Sequence, residues 1–72
     1  MGYYKVGDVV EVVELVGLDS KFGIQIGDVA KVITVQNFHD GSQMVDCYNP
    51  KWDHKEINGI RGMTRSQLKK VK

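Results

Sequence analysis

The chain has 72 residues and a formal net charge of +1 at pH 7, with 42% hydrophobic and 26% charged residues. This composition excludes a disordered polar chain, and the single cysteine excludes an intramolecular disulfide framework. No apolar run is long enough to cross a bilayer or to form the core of a signal peptide. We therefore expect one small domain over residues 1–72 in a reducing, cytoplasmic setting.

An eleven-residue pattern occurs twice, at residues 5–15 and again at residues 25–35. In both copies a polar residue and Val or Ile precede Gly-Asp-Val, and a largely β-branched run follows. Glycine adopts backbone angles that other residues resist, and aspartate can hydrogen-bond within its own turn. A β-branched run fits a pleated strand. We predict that each copy is a strand beginning at a Gly-Asp turn, and that the two strands form the scaffold of a small β-barrel.

The alternation of apolar and polar residues predicts five short strands in all. A long loop over residues 16–26 separates the first two, and the Asp40-Gly41 step indicates a hairpin turn before the third. A polar loop follows over residues 49–59. Residues 64–68 are too few for a stable α-helix, so we predict a single 3₁₀ turn there. The predicted strands are residues 9–15, 28–36, 44–48, 60–63 and 69–72.

One face of each predicted strand is expected to line a common core. The opposite choice in the first strand would bury Glu11, so Val10 and Val12 are assigned inward. Cys47 shares a face with Val45 in the third strand, and we predict a buried, reduced thiol without a metal. In the long loop, Phe22, Ile24 and Ile26 are candidates to fold back over the barrel. The predicted core consists of Val10, Val12, Ala30, Val32, Val45, Ile60, Leu68 and Val71.

The order of these elements resembles an SH3-like barrel, and the pattern Gly-Asp-x-Val/Ala-x-Val at residues 7–12 and 27–32 resembles the strand openings of KOW-type barrels. The single small domain is also similar to the SH3-like proteins that bacteriophages and prophages encode. The resemblance covers nearly the whole chain. It implies an all-β fold, a five-stranded, partly open SH3-like barrel with a single 3₁₀ turn before the last strand, and it implies a binding protein such as a phage or prophage accessory protein.

No group of residues has the spacing of a catalytic or metal site. His39, Cys47 and His54 are metal-ligand types, but they form neither a Cys-x-x-Cys nor a His-x₃-His arrangement. Ser42 and Ser66 lack the sequence context of a nucleophile. The Gly-Asp steps are not phosphate-binding loops, because no helix is predicted to follow them. We therefore expect no enzymatic activity, no cofactor and no metal.

Exposed aromatic residues are the strongest indication of a binding surface. Tyr48 is predicted to point away from the core, and Trp52 lies in the polar loop. An exposed tryptophan beside mixed charges suits a protein-binding anchor or a stacking platform for a base, whereas a buried one would close one end of the core. We predict a partly exposed Trp52 at the centre of a partner-binding surface with Tyr48, Phe38 and His54.

The charge is divided unevenly along the chain. Residues 1–60 carry five lysines and nine acidic residues, and residues 61–72 carry five basic residues and no acid. Such a basic segment is either a lysine-rich edge strand that prevents edge-to-edge pairing or an anion-binding edge. Our leading interpretation is a monomeric, non-catalytic module that docks onto another protein and has no membrane partner. The alternative, which the resemblance to KOW-type barrels implies, is nucleic-acid binding. Phosphates would be bound by Arg61, Arg65, Lys69 and Lys70, and Trp52 or Tyr48 would stack on a base.

Overall fold

The computed structural model describes residues 3–52, 55 and 57–71, and within them it has five β-strands, two 3₁₀ turns and no α-helix. The strands form one antiparallel sheet in the order β4-β3-β2-β1-β5, which is not closed, so β4 and β5 are its edges. This architecture confirms the predicted all-β class and fits a small, partly open barrel. In the described ranges no helix is long and apolar enough to cross a membrane. The strands are β1 (Val9–Val12), β2 (Val29–Asn37), β3 (Gln43–Tyr48), β4 (Ile60–Thr64) and β5 (Leu68–Lys70).

Both copies of the sequence repeat begin with the predicted Gly-Asp turn. The carboxylate of Asp8 accepts a hydrogen bond from the backbone N–H of Lys5 at 3.0 Å, and that of Asp28 accepts one from Gln25 at 2.9 Å. The glycine of each turn has a positive φ, +98° at Gly7 and +97° at position 27. Because side chains with a Cβ resist this conformation, glycine is favoured at both positions.

The two copies then pair with each other around a local pseudo-two-fold axis. Val10 lies opposite Ala30, which occupies the equivalent position of the second copy. The N–H of Gly7 donates to the carbonyl of Val32, and the N–H of residue 27 donates to the carbonyl of Val12, each at 2.8 Å. The repeat in the sequence is therefore also a repeat in the hydrogen bonding, and it fixes the register of β1 against β2.

Six of the eight predicted core residues are buried, namely Val10, Val12, Ala30, Val32, Val45 and Leu68. The prediction is wrong for Ile60 and Val71, which are 41% and 48% exposed. Ile60 lies opposite Tyr48 on the outer face of the sheet, and Met63 fills the core position opposite Val45. Val71 lies beyond the end of β5, where its N–H donates to the carbonyl of Val9. A shift of one residue reverses the face to which a strand residue points.

The first and last strands also differ in extent from the prediction. β1 ends at Val12 instead of residue 15, because the N–H groups of Val13 and Glu14 both donate to the carbonyl of Gln67. The chain therefore leaves the β-ladder toward the 3₁₀ turn Arg65–Gln67 at this point. The pairing of β2 with β3 contains a register shift between Val32 and Thr34.

The long loop after β1 contains a 3₁₀ turn, Asp19–Phe22, that the sequence did not predict. Phe22 and Ile24 are buried over the core as predicted, whereas Ile26 is exposed. The loop is anchored by Asp19, whose carboxylate accepts hydrogen bonds from Arg61 Nε at 2.8 Å, from Gln67 Nε2 at 2.8 Å and from the N–H of Val16 at 2.9 Å.

Candidate functional site

Trp52 is not an exposed anchor, and the prediction of a surface centred on it is wrong. Its side chain is 0% exposed and is part of the core. Its indole Nε1–H donates to the Asp28 carboxylate at 2.8 Å, and its backbone N–H donates to the carbonyl of Asn49 at 3.0 Å. A buried indole needs such a partner for its N–H group. The second interpretation of the sequence is therefore correct: Trp52 closes the core.

Tyr48 is exposed on the outer face of the sheet, as predicted. It lies opposite Ile60 on β4 and opposite Lys31 on β2. Its ring rests against Gly59, where an added Cβ would lie only 2.9 Å from Tyr48 Cε1. Tyr48 thus forms part of a partly apolar row that crosses the sheet.

Phe38 lies near the other end of β3 and is 44% exposed. It lines a groove of about 300 Å³ between the hairpin turn and the second 3₁₀ turn. Met44, 36% exposed, forms the rest of its apolar wall, and Arg65 is its charged group. The remaining lining residues are polar: Ser42, Gln43, Thr64 and Ser66.

The four predicted partner-binding residues do not form one surface. Met44 in the groove and Tyr48 are four residues apart on one strand, which corresponds to about 13 Å at roughly 3.3 Å per residue. Trp52 is inside the molecule, and His54 lies outside the described residues. Phe38 and Tyr48 therefore belong to two separate exposed regions, and we call the one that contains Phe38 and Arg65 the hairpin groove.

The predicted basic residues do not converge either. Arg61 is held by Asp19, and its guanidinium carbon lies 4.9 Å from the centroid of the Phe22 ring. Lys69 lies opposite Glu11 on the neighbouring strand, and Lys70 Nζ lies 3.8 Å from an oxygen of Asp8. Arg65 is in the hairpin groove. A single guanidinium thus provides the positive charge of this groove.

Tyr3 packs against Arg65, a long-range contact that no local sequence pattern predicts. The Tyr3 ring centroid lies 4.2 Å from the guanidinium carbon of Arg65. The Tyr3 hydroxyl donates to the carbonyl of Gly41 at 2.5 Å, and Arg65 Nη2 donates to the same carbonyl at 3.4 Å. Tyr4 is fixed by two reciprocal bonds to the side-chain amide of Gln43, at 2.9 and 2.8 Å. Tyr3 and Tyr4 thus connect the hairpin turn to the 3₁₀ turn.

The 3₁₀ turn that carries Arg65 is also fixed by side chains. Thr64 and Gln67 form a capping box, in which the backbone N–H of Thr64 donates to Gln67 Oε1 at 3.2 Å. The side-chain nitrogen of Gln67, Nε2, donates to the carboxylate of Asp19 and to the backbone carbonyl of Glu14. A capping box satisfies backbone donors that a short turn leaves open. Arg65 therefore extends from a well-anchored turn.

Cys47 is buried, as predicted, in the face of β3 that lines the core. Burial, with a smaller contribution from the nearby charge of Asp46, raises the pKa of its thiol to about 12. The thiolate is the reactive form of cysteine, so this thiol is unreactive at neutral pH. Within the described residues, no three His, Cys, Asp or Glu side chains are grouped closely enough to hold a metal ion.

Comparisons with protein-family models, with curated proteins and with solved structures found no match. The resemblance to SH3-like and KOW-type barrels therefore stays a prediction.

Proposed function

We propose that the protein is a non-catalytic module that binds another protein through the hairpin groove. The observation that carries the proposal is the combination of Phe38, Met44 and Arg65 as its apolar and charged lining. Aromatic residues, methionine and arginine are the types enriched at protein interfaces. A concave site that offers all three suits an interface anchor better than a flat polar surface does.

The hydrogen bonds around the groove support the same function. Asp40 closes the hairpin turn by accepting hydrogen bonds from the Ser42 N–H at 2.9 Å and from its hydroxyl at 2.7 Å. Tyr3 and Gln43 connect this turn to the N-terminal segment. A surface that is already ordered loses less conformational freedom when a partner binds, so more of the contact energy contributes to affinity.

Nucleic-acid binding has less support, because it draws its affinity from several phosphate contacts at once. Of the four basic residues predicted for that function, Arg61 is bound to Asp19 and Lys70 is near Asp8. Lys69 faces Glu11 across the strand pair. Of the two aromatic residues predicted to stack on a base, Trp52 is buried, and Tyr48 is at the opposite end of β3 from the groove that contains Arg65.

The proposal is tested by affinity capture from host-cell lysate with three immobilised proteins. These are the wild type, Phe38→Ser in the groove, and the matched variant Tyr48→Ser, which removes an exposed aromatic at the other end of β3. We expect at least one protein that the wild type and Tyr48→Ser retain and Phe38→Ser loses. Equal retention by all three proteins, or loss with Tyr48→Ser alone, would overturn the groove as the binding site.

A titration with labelled single- and double-stranded nucleic acid at low and moderate salt tests the alternative. We expect no saturable binding in the micromolar range at either salt concentration. Micromolar affinity that decreases steeply with salt would instead show contacts to phosphates and favour nucleic-acid binding.

A further inference from the structure

We infer that the hairpin groove selects a protein segment that presents a carboxylate next to an apolar side chain, with Arg65 as the ligand of the carboxylate. This inference rests on the proposed protein-binding function and adds the chemistry of the partner. It is drawn from the charge, the hydrogen bonding and the position of this one arginine.

Arg65 has no acidic partner among the described residues. The two ion pairs recorded there join Arg61 to Asp19 and Lys70 to Asp8. The hydrogen bond from Arg65 Nη2 to the carbonyl of Gly41 is long, at 3.4 Å, and no other acceptor for this guanidinium is found in the described part of the chain. A guanidinium has five N–H donors, so several remain available to a ligand.

The Tyr3 ring prepares Arg65 for such a ligand. It covers the guanidinium at 4.2 Å and is itself fixed by its hydroxyl to Gly41. Stacking on an aromatic face leaves the in-plane N–H groups accessible, and their fork matches the two oxygens of a carboxylate. Because the side chain is already held, less rotamer freedom is lost when the pair of hydrogen bonds forms.

The apolar part of the groove determines what lies next to the carboxylate. Phe38 and Met44 would be covered by an aliphatic or aromatic side chain of the partner. Methionine is flexible and polarizable, and it adapts to different apolar groups. The hydroxyls of Thr64 and Ser66 are hydrogen-bonded to each other at 3.2 Å, and their remaining lone pairs can accept a backbone N–H of the partner.

The charges around the groove favour a single carboxylate over a chain of phosphates. Asp40 is the acidic residue in the hairpin turn, and Ser42 occupies it with two hydrogen bonds. These bonds from Ser42 lower the pKa of Asp40, so it remains an anion that stays within its own turn. Lys69 and Lys70 face Glu11 and Asp8 on β1. Among the described residues of the groove, Arg65 is thus the cation without an acidic partner, and it complements one anionic group.

The inference is tested with three fluorescein-labelled octapeptides, in which Phe alternates with Glu, with Gln or with Lys. Fluorescence anisotropy at moderate salt measures binding to the wild type. We expect the Glu peptide to bind about tenfold more tightly than the Gln peptide. A hydrogen bond to a charged acceptor is stronger than one to a neutral acceptor, and the difference corresponds to about this ratio of affinities. The Lys peptide should bind most weakly. Equal affinities for the Glu and Gln peptides, or no binding of any peptide, would overturn the inference.

Two variants with the same change in charge locate the effect. Arg65→Gln should remove the preference for Glu over Gln, and Lys69→Gln on β5 should retain it. Thermal unfolding verifies that both variants are folded. Amide chemical shifts in the wild type should move at residues 38–44 and 64–66 when the Glu peptide is added. Loss of the preference in both variants, or shifts confined to the row of Tyr48 and Ile60, would show general charge attraction or another site.

The outcomes for the two proposals can be separated. If Phe38→Ser loses a captured protein but the peptides show no preference for Glu, the groove binds a partner of other chemistry and only the present inference fails. If Phe38→Ser loses nothing from the lysate, the proposed function fails whatever the peptides do. Competition of a single-stranded oligonucleotide with the Glu peptide would overturn the inference in favour of a phosphate ligand.

Discussion

The indole nitrogen of Trp52 donates a hydrogen bond to the carboxylate of Asp28, at 2.8 Å, across 24 positions of the chain. The same carboxylate closes the second Gly-Asp turn through the N–H of Gln25. The amide of Asn49 donates to the carbonyl of Val29, the first residue of β2, at 2.9 Å. Hydrogen bonds thus hold the polar loop after β3 against the start of β2, and the buried Trp52 side chain adds an apolar contact with the core.

We predict that Trp52→Ala destabilises the protein by about 3–5 kcal/mol, the range for removing a large buried side chain. Trp52→Phe keeps most of the apolar surface and removes only the indole donor, while the Asp28 carboxylate still accepts the N–H of Gln25. It should therefore cost less, about 1–3 kcal/mol. Urea unfolding followed by circular dichroism measures both values. A Trp52→Ala protein with the stability of the wild type would contradict the buried position.

Glycine substitutions should separate backbone strain from steric overlap. Gly7 and Gly59 both have positive φ, but a Cβ at Gly7 would meet nothing within 4 Å, whereas at Gly59 it would lie 2.9 Å from the Tyr48 ring and 3.1 Å from the carbonyl oxygen of Asn49. We expect Gly7→Ala to cost about 1–2 kcal/mol, as for a left-handed non-glycine residue. Gly59→Ala should cost at least about 1 kcal/mol more. Equal unfolding midpoints for the two variants would contradict this difference.

The parts of the fold that could be predicted from the sequence depend on local signals. The Gly-Asp turns lie within short stretches, and so does the alternation of inward and outward side chains in β1, β2 and β3. The predicted burial of Val10, Val32 and Cys47 in the core is therefore correct. Ile60 and Val71 were misplaced, because very short strands beside loops carry too few residues to define which face is buried.

The candidate site depended on contacts between distant parts of the chain, and these could not be predicted. A tryptophan in a polar loop gives no local sign of an aspartate 24 positions earlier that accepts its N–H. Phe38 was identified as an exposed aromatic, but its neighbour Arg65 is brought to it by the order β4-β3-β2-β1-β5. The outward position of Met44 follows from the alternation of β3, so Phe38 and Met44 are the parts of the groove that the sequence indicates.

The raised pKa of Cys47 makes a prediction about stability at high pH. The thiol has its ordinary pKa near 9.0 in the unfolded chain and about 12 in the folded protein. Below pH 9 the thiol is protonated in both the folded and the unfolded state, so its titration does not change the free energy of unfolding there. Between these values only the unfolded chain loses the proton, and stability should fall with pH by up to about 1.4 kcal/mol per unit. The variant Cys47→Ala should lack this contribution, so its stability relative to the wild type should improve from pH 9 upward. A difference that is independent of pH would contradict the assignment.

The ion pair of Asp19 and Arg61 should contribute far more to stability than that of Asp8 and Lys70. The side chain of Asp19 is buried, at 3% exposed, and it accepts hydrogen bonds from three groups. The side chain of Lys70 is 50% exposed, and its Nζ lies 3.8 Å from a carboxylate oxygen of Asp8. Asp19→Ala leaves Arg61, Gln67 and the N–H of Val16 without this acceptor, and we expect a loss of about 2–3 kcal/mol. Lys70→Ala should change stability by less than about 0.5 kcal/mol, because exposed pairs are weak. Urea midpoints of the two variants measure the contrast. Similar losses in both would mean that Asp19 does not anchor the long loop to β4 and to the second 3₁₀ turn.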